Sequence, residues 1–211
     1  MDEKWLWHKK LGHAHMKLIS EISQKELVKG LPKISYDNDS TCESCQKGKQ
    51  TKSSFHSKNV VSTTRPLELL HLDLFGPTRT VSLGGKKYGL VIVDDFSRFT
   101  WVIFLVHKDH ACEAFKVLSK RIQNEKGFCI SSIRSDHGGE FENQVFKSFC
   151  EENGISHNFS YPRTPQQNGV VERKNRSLQE MARTMLLESG LSKGFWVEAV
   201  NTACYIQNVF S

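Results

Sequence analysis

Apolar and polar positions alternate along the segment LELLHLDLFGPT, which predicts a β-strand. Three leucines face one side of this strand, and His71, Asp73 and Phe75 face the other. Two further runs of β-branched and aromatic residues, KKYGLVIVDD and RFTWVIFLVH, predict the second and third strands. Because three strands follow one another along the chain, we expect antiparallel hairpins.

Further along the chain, the apolar period switches between that of a helix and that of a strand. Helical spacing covers residues 109–126, FENQVFKSFCEENG and residues 169–189, and a last helix is expected over residues 194–208. Between these helices FCISSIRS and ISHNFSY predict two more strands, in the arrangement of parallel crossovers. The predicted fold class is therefore α/β, with a mixed five-stranded sheet flanked by helices.

The first 45 residues combine a helical pattern with four potential metal ligands. His8 and His13 are separated by four residues and Cys42 and Cys45 by two, which gives the form H-x4-H-x28-C-x2-C. Two imidazoles and two thiolates make a closed tetrahedral Zn²⁺ site, which stabilises modules too small for a sufficient core. We expect a small helical domain whose zinc ion is structural.

Other interpretations of the cysteines and histidines stay open. His15 competes for either histidine position, and three histidines can occur beside a CxxC pair by chance. A redox role is disfavoured because no strand-then-helix pattern surrounds the pair. The remaining cysteines lie in apolar segments and are expected to be buried small hydrophobic residues; they are Cys112, Cys129, Cys150 and Cys204.

The net charge of +6 is concentrated towards the N-terminus. The segment Gln46–Arg65 holds five cations and no acid, a pattern found both in nucleic-acid contacts and in solvated linkers. An apolar content of 38% is sufficient for a core. No signal peptide is recognisable, and no stretch approaches the roughly 20 apolar residues of a membrane span. The expectation is a soluble intracellular protein.

Three acidic residues occupy positions suited to chemistry. Asp73 lies inside an apolar strand, where a charge is costly unless it is paired or binds a metal. Asp136 follows the fourth strand and precedes two glycines, which allow close approach of a ligand. Glu172 lies in the first turn of the long helix. If the first and fourth strands are neighbours, the three carboxylates converge at one sheet edge, where such oxygen ligands suit Mg²⁺ or Mn²⁺.

Each of these acids also has a simpler explanation. Asp136 can be a turn or capping residue, and Glu172 can be a helix N-terminal acid that pairs with Arg176. Asp94 and Asp95 compete for the catalytic role, but we interpret them as turn formers because their strand would lie farther from the long helix. The sequence contains no Walker phosphate loop and no G-x-S-x-G motif, which disfavours nucleotide-driven and serine-hydrolase chemistry.

Longer motifs resemble the integrase segment of Ty1/copia-type retrotransposon Pol polyproteins. They are HLDLFGP, VDDFSRFTW, RSDHGGEF and TPQQNGVVERKNR, while WHKKLGHAH with CESCQKGKQ resembles the pre-integrase HHCC zinc domain. The 35 residues between Asp136 and Glu172 match the D,D(35)E signature of retroviral-type integrases. The resemblance extends over nearly the whole chain.

The resemblance implies an RNase H-like core in which Asp73, Asp136 and Glu172 are the catalytic ligands of Mg²⁺ (or Mn²⁺). It likewise implies that His8, His13, Cys42 and Cys45 bind Zn²⁺. The implied activity is that of a DDE-type integrase, a metal-dependent polynucleotidyl transferase that processes cDNA 3′ ends and joins them to target DNA. The expected DNA contacts are Lys47, Lys49, Lys52, Arg163, Asn168, Arg173, Lys174 and Arg176.

The resemblance also implies a homo-oligomer that uses neither a membrane nor a small-molecule substrate. The nucleus is the expected location, with a cytoplasmic stage in virus-like particles. The expected domain boundaries are residues 1–50 for the zinc domain, 51–65 for a basic linker, 66–190 for the catalytic core and 191–211 for a C-terminal helix of the core region.

The chain departs from the family pattern at two points. Integrases of this type usually carry a further C-terminal DNA-binding region, so the chain is expected to be a piece of a longer polyprotein. Retroviral relatives tend to place a Lys on the helix after the Glu, where this chain has Arg176, Gln179 and Arg183. The alternatives are an inactive or domesticated DNA-binding or assembly module, an RNA–DNA hybrid hydrolase of the same fold, and a purely structural zinc protein.

Overall fold

The computed structural model describes residues 3–35, 42–49, 61–160 and 168–209. The chain divides into two compact units, one of residues 54–176 and one that combines residues 1–53 with residues 177–211. The domain boundaries expected from the sequence stay predictions, and residues 51–60 of the expected linker lie outside the described residues. Within the described ranges, no helix is both long and apolar enough to cross a membrane.

The unit of residues 54–176, which we call the core unit, is built on a mixed five-stranded sheet. The sheet has the order β3-β2-β1-β4-β5. Strand β1 pairs antiparallel with β2, and β2 with β3, whereas β1–β4 and β4–β5 are parallel. The predicted mixed sheet is thus confirmed; its strands are β1 (Leu69–Phe75), β2 (Tyr88–Asp94), β3 (Thr100–Leu105), β4 (Ser132–Ser135) and β5 (Ser156–Phe159).

Two helices of the core unit bury aromatic side chains together with the sheet. Helix α4 (Ala111–Lys126) follows the apolar period through Phe115, Leu118 and Ile122, and it ends at Gly127, whose φ of 69° is left-handed. Helix α5 (Gln144–Glu152) begins where the side chain of Asn143 accepts a hydrogen bond from the Phe146 amide. The rings of Phe115 and Phe146 lie 5.8 Å apart, so the two helices share one aromatic core.

The second unit, which we call the zinc unit, is helical. Its N-terminal part holds α1 (Glu3–Lys10), α2 (Met16–Gln24) and α3 (Glu43–Gly48), and its C-terminal part ends in α7 (Trp196–Val209). A small apolar cluster of Leu11, Ala14, Met16 and Ile19 packs against two tryptophans from α1. Helix α6 (Gly169–Ser189) begins in the core unit and ends in the zinc unit. Its extent agrees with the predicted helix over residues 169–189.

Replacing Phe115 with Ala should destabilise the core unit by about 3–5 kcal/mol, because it removes a fully buried ring and leaves a cavity. Val117 on the same helix is 64% exposed, so Val117→Ala should change stability by less than about 0.5 kcal/mol. Urea unfolding of both variants beside the parent chain measures the difference. Equal unfolding midpoints for the two variants would contradict the assigned core.

Candidate active site and metal centre

The first and fourth strands lie side by side, as the convergence of the three acids requires. In the parallel pairing of β1 with β4, His71 is opposite Arg134. Two residues further along each strand are Asp73 and Asp136, which are therefore level with one another at the carboxyl end of β4. Neighbouring strands are spaced by about 4.8 Å. The sheet thus brings two carboxylates from distant parts of the sequence to one edge.

Asp73 is a partly buried carboxyl group with a single described side-chain donor. Burial raises the pKa of Asp73, the side-chain hydrogen bond from Asn175 lowers it, and repulsion from the Asp136 carboxylate raises it again. The Nδ2 atom of Asn175 donates to Asp73 Oδ2 at 2.6 Å. The net pKa shift of Asp73 is upward, chiefly because the carboxyl group is buried, and the nearby Asp136 carboxylate adds to it.

Asp136 is exposed in the turn that follows β4. Its Oδ1 atom accepts a hydrogen bond from the Gly138 amide at 3.1 Å, so it also has the turn-forming role considered above. A Cβ atom at Gly138 would lie 2.7 Å from the Glu140 carboxylate and 3.1 Å from that of Asp136. A side chain at position 138 would therefore force the Glu140 carboxylate to move and would press on that of Asp136.

Glu172 lies in the first turn of α6, and its carboxylate is influenced by the other two acids. Burial raises the pKa of Glu172, and so does repulsion from Asp73 and Asp136, whereas Arg173 and Arg176 lower it. The ion pair between Glu172 and Arg176 that the spacing allows is not formed among the described residues. The three predicted acids thus interact electrostatically, which is the behaviour expected of carboxylates that share a site.

Sequence reasoning missed two polar residues at this edge. Asn175 is three residues after Glu172 and so projects from the same side of α6, a spacing that could have revealed it. Glu140 also contributes to the raised pKa of Asp73, and it adds a fourth carboxylate to the neighbourhood. No periodicity marks Glu140, because it lies in the turn between β4 and α5.

Asp94 and Asp95 serve the turn after β2, as interpreted from the sequence. Asp94 accepts hydrogen bonds from the backbone amides of Leu67 and Ser97, each at 2.9 Å. Asp95 contacts His71 Nε2 at 3.0 Å and accepts a hydrogen bond from Arg98 Nη1 at 3.1 Å. Both carboxylates are almost fully buried in these contacts. They stabilise the fold and leave the sheet edge to the other acids.

The four expected zinc ligands form a cluster in the zinc unit. One ligand atom from each of His8, His13, Cys42 and Cys45 lies within 4.8 Å of the others. The His8 Nε2 atom is 3.2 Å from His13 Nδ1 and 3.4 Å from Cys45 Sγ. Ligand atoms around a tetrahedral zinc ion are separated by roughly 3.3–3.8 Å. The donor set and its spacing therefore fit Zn²⁺.

Local structure explains how the two histidines meet. Gly12 and His13 have positive φ angles of 63° and 61°, so the chain reverses directly after α1. This turn brings the His13 ring to 4.9 Å from the His8 ring. His8 Nδ1 donates to the Ala14 carbonyl at 2.9 Å, which leaves the lone pair of Nε2 directed at the cluster.

Burial explains the protonation of the metal-free ligands. It lowers the pKa of His8 to about 4 and raises the pKa of the Cys45 thiol to about 11. The imidazole is thus already neutral, whereas the thiol gives up its proton when a metal binds. Among the described residues His15 is not part of the cluster; its Nδ1 atom accepts a hydrogen bond from the Lys17 amide and caps α2.

The remaining cysteines agree with the sequence except at one position. Cys112, Cys150 and Cys204 are buried, as predicted. The prediction was wrong for Cys129, which is exposed where the chain passes from α4 to β4. Apolar neighbours in the sequence do not bury a residue of a connection that runs over the surface.

The expected DNA contacts are distributed over both units. Lys49 donates to the backbone carbonyl of His13, and Lys47 pairs with Glu43. Asn168 is 2% exposed, and its side-chain amide has no hydrogen-bond partner in the described part of the chain. The first turns of α6 hold Arg173, Lys174 and Arg176, of which Arg176 is exposed. Lys52 and Arg163 lie outside the described residues.

Two known protein families match parts of this chain. Residues 63–165 match the integrase core domain, and residues 1–50 match the GAG-pre-integrase domain. The chain therefore has matches to an integrase core domain and to a GAG-pre-integrase domain, as the resemblance found in the sequence implies. Its integrase core domain contains β1 to β5, and its GAG-pre-integrase domain contains all four residues of the His/Cys cluster.

Similar polyproteins come from plant transposons. Over 206 residues the chain is 40% identical to the retrovirus-related Pol polyprotein from transposon TNT 1-94 of Nicotiana tabacum, a match that covers 96% of this chain and 15% of that polyprotein. The polyprotein from transposon RE2 of Arabidopsis thaliana is 30% identical over 203 residues, which are 96% of this chain and 14% of the relative. The predicted resemblance to Pol polyproteins is confirmed, and the chain spans only a small part of their length.

A solved structure supports the fold. The chain is similar to one in the simian T-cell lymphotropic virus intasome in complex with PP2A regulatory subunit B56 gamma, with a TM-score of 0.55 and 19% identity. The similarity covers 78% of this chain and 56% of that chain. At this identity the similarity concerns the fold, and it agrees with the integrase core domain.

Replacing Cys42 with Ser should lower the zinc content of the purified protein, because the site loses one of its two thiolates. Cys129→Ser is the matched control: this cysteine is exposed in the core unit and should leave the zinc content unchanged. Elemental analysis after dialysis measures both. Full zinc content in the Cys42 variant would exclude the ligand set described above.

Proposed function

We propose that the chain is a DDE-type integrase, which processes the 3′ ends of retrotransposon cDNA and joins them to target DNA. The observation that carries this proposal is the meeting of Asp73 and Asp136 at the ends of adjacent parallel strands, close enough to Glu172 that both raise its pKa. This arrangement occurs within an integrase core domain, whose type of chemistry is polynucleotidyl transfer.

The donor chemistry of the sheet edge fits Mg²⁺ or Mn²⁺. Asp73, Asp136 and Glu172 offer only oxygen ligands, which such hard cations prefer. Burial and, after it, repulsion from the neighbouring acids raise the pKa of Asp73 and of Glu172, so a divalent cation would stabilise the ionised carboxylates. When bound, ions of this kind activate the attacking hydroxyl and stabilise the leaving oxygen of a phosphodiester.

Neighbouring residues would hold the metal-binding carboxylates in place. Asn175 holds Asp73 Oδ2 through a 2.6 Å hydrogen bond and thereby restricts the rotation of this carboxylate. The absence of a Cβ atom at Gly138 leaves room for the carboxylates of Asp136 and Glu140. Both effects favour a preorganised site, in which ligands need little rearrangement when substrate arrives.

The beginning of α6 offers contacts for the nucleic-acid backbone. Helix N-termini attract anions, and Arg173, Lys174 and Arg176 add positive charge next to Glu172. A Cβ atom at Gly169 would lie 2.9 Å from Arg173 Nη1, so this guanidinium folds back over the helix start. Asn168 has a buried amide that finds no partner among the described residues, and a ligand group that reaches it would satisfy this amide.

The other expected contacts belong to the same proposal. The basic segment with Lys47, Lys49 and Lys52 would add salt-sensitive affinity that is independent of DNA sequence, and Arg163 is a further proposed DNA contact. Self-association into a homo-oligomer, action in the nucleus and a stage in virus-like particles follow from the resemblance. The second candidate is an inactive or domesticated DNA-binding or assembly module; the intact acids favour the enzyme.

Joining of a labelled cDNA-end oligonucleotide to plasmid DNA in Mg²⁺ tests the proposal. The parent chain should join the two DNAs, and Asp136→Asn should lower the rate at least 100-fold (an order-of-magnitude expectation for loss of a metal-ligating carboxylate). Asp109→Asn is the matched control, since Asp109 is exposed on a short helix before α4 and should join at the parent rate.

Two outcomes would contradict the enzymatic assignment. Equal joining by the parent and the Asp136 variant would remove the proposed role of the carboxylates. Binding of the oligonucleotide without joining, in parent and variants alike, would instead favour the DNA-binding or assembly module.

A further inference from the structure

A glutamate near the end of α6 contacts one of the zinc ligands. The Glu188 Oε2 atom lies 2.5 Å from the Nε2 atom of His13. This oxygen is buried, and the described residues give it no hydrogen bond of regular geometry, so its approach to His13 is a close ion-pair contact. His13 itself is 2% exposed, so the contact is shielded from water on the imidazole side. Both residues belong to the zinc unit.

The two ring nitrogens of His13 face different partners. Nδ1 lies 3.2 Å from His8 Nε2 and 3.6 Å from the sulfur atoms of Cys42 and Cys45, on the side of the predicted ion. Nε2 faces Glu188. A neutral imidazole whose Nε2–H donates to a carboxylate keeps the Nδ1 lone pair available for a metal, so the contact selects the tautomer that zinc requires.

The two zinc-binding histidines differ in how they are held. His8 Nδ1 donates to the Ala14 carbonyl six residues away, which is a contact within the local turn. His13 has a positive φ of 61°, a backbone conformation that costs free energy for a residue with a side chain. Its outer partner is an anion rather than a carbonyl, and it comes from the other end of the chain. A charged partner makes the stronger hydrogen bond.

Several close contacts hold this part of α6 against the His/Cys cluster. Lys9 pairs with the second carboxylate oxygen of Glu188 at 2.5 Å. Arg183 Nη1 donates to the Gly48 carbonyl at 2.8 Å, and a Cβ atom at Gly48 would lie 2.9 Å from Thr184 Cα. The position of Glu188 therefore does not depend on the His13 contact alone.

We propose that Glu188 is a positioning residue of the zinc site, which orients His13 for metal binding and couples zinc affinity to the docking of the α6 C-terminus. By reciprocity, bound zinc stabilises the last turns of α6. The inference concerns zinc only and is independent of the proposed DNA chemistry, because its test measures metal affinity and local opening rather than joining.

Competition with a chromophoric chelator gives the zinc dissociation constant of the full chain and its variants. Glu188→Ala should weaken zinc binding by about 10–100-fold, the usual effect of losing an outer-shell partner. Glu188→Gln keeps an oxygen that accepts the Nε2–H bond and should recover most of the affinity. Lys9→Met removes the other partner of Glu188 without touching His13 and should bind zinc within about threefold of the parent.

Two further readouts separate positioning from general stabilisation. In Co²⁺-substituted protein, Glu188→Ala should shift the visible ligand-field bands, and Lys9→Met should leave them unchanged. In the unmodified chain, removal of zinc by chelation should raise the hydrogen-exchange rates of amides in the last turns of α6, a result that needs no variant.

Three results would contradict the proposed role of Glu188. Parent-like zinc affinity in Glu188→Ala would remove the role of the carboxylate. An equal loss of zinc affinity in Lys9→Met and Glu188→Ala would mean that docking of the α6 C-terminus, rather than the orientation of His13, determines the affinity. Unchanged hydrogen exchange of α6 on zinc removal would exclude the coupling.

Discussion

The parallel pairing of β1 with β4 is the constraint on which the core unit depends. It sets Asp73 level with Asp136, so two carboxylates separated by 62 residues of sequence face the same edge. Burial of Asp73 and, to a smaller extent, repulsion from Asp136 raise the pKa of Asp73 in the metal-free protein. The buried strands around them, held by the aromatic contacts of α4 and α5, supply the rigidity that keeps like charges together.

The two units suit two kinds of metal chemistry. In the zinc unit the ligands are two imidazoles and two thiol groups that fill a closed set, which is typical of a structural ion. At the sheet edge the candidate ligands are carboxylates, of which Asp136 and Glu172 are exposed and therefore accessible from solvent. Helix α6 contributes to both, with Glu172 in its first turn and Glu188 in its last.

Features of the structure could be predicted where they have a local pattern in the sequence, such as an apolar period or a fixed spacing of residues. Strands β1 to β3 and helix α6 follow clear apolar periods, and these periods predicted them. The His/Cys cluster was predicted from the spacing of its histidines and cysteines in the sequence. Asn175 was recognisable in principle, because it lies three residues after Glu172 on the same helix. Glu188 and the contact of His71 with Asp95 were not, because each joins elements whose packing no local pattern specifies. The prediction that Cys129 is buried was wrong, because apolar neighbours in the sequence do not determine the exposure of a residue in a connecting segment.

Iron-directed cleavage tests most directly whether the three acids share one cation. Fe²⁺ that replaces Mg²⁺ generates hydroxyl radicals under ascorbate and peroxide, and these cut the backbone near its ligands. With the zinc site loaded, the account predicts cuts next to Asp73, Asp136 and Glu172 together, all suppressed by excess Mg²⁺. Cuts confined to one of these positions, or cuts that Mg²⁺ does not suppress, would contradict a shared metal site at the sheet edge.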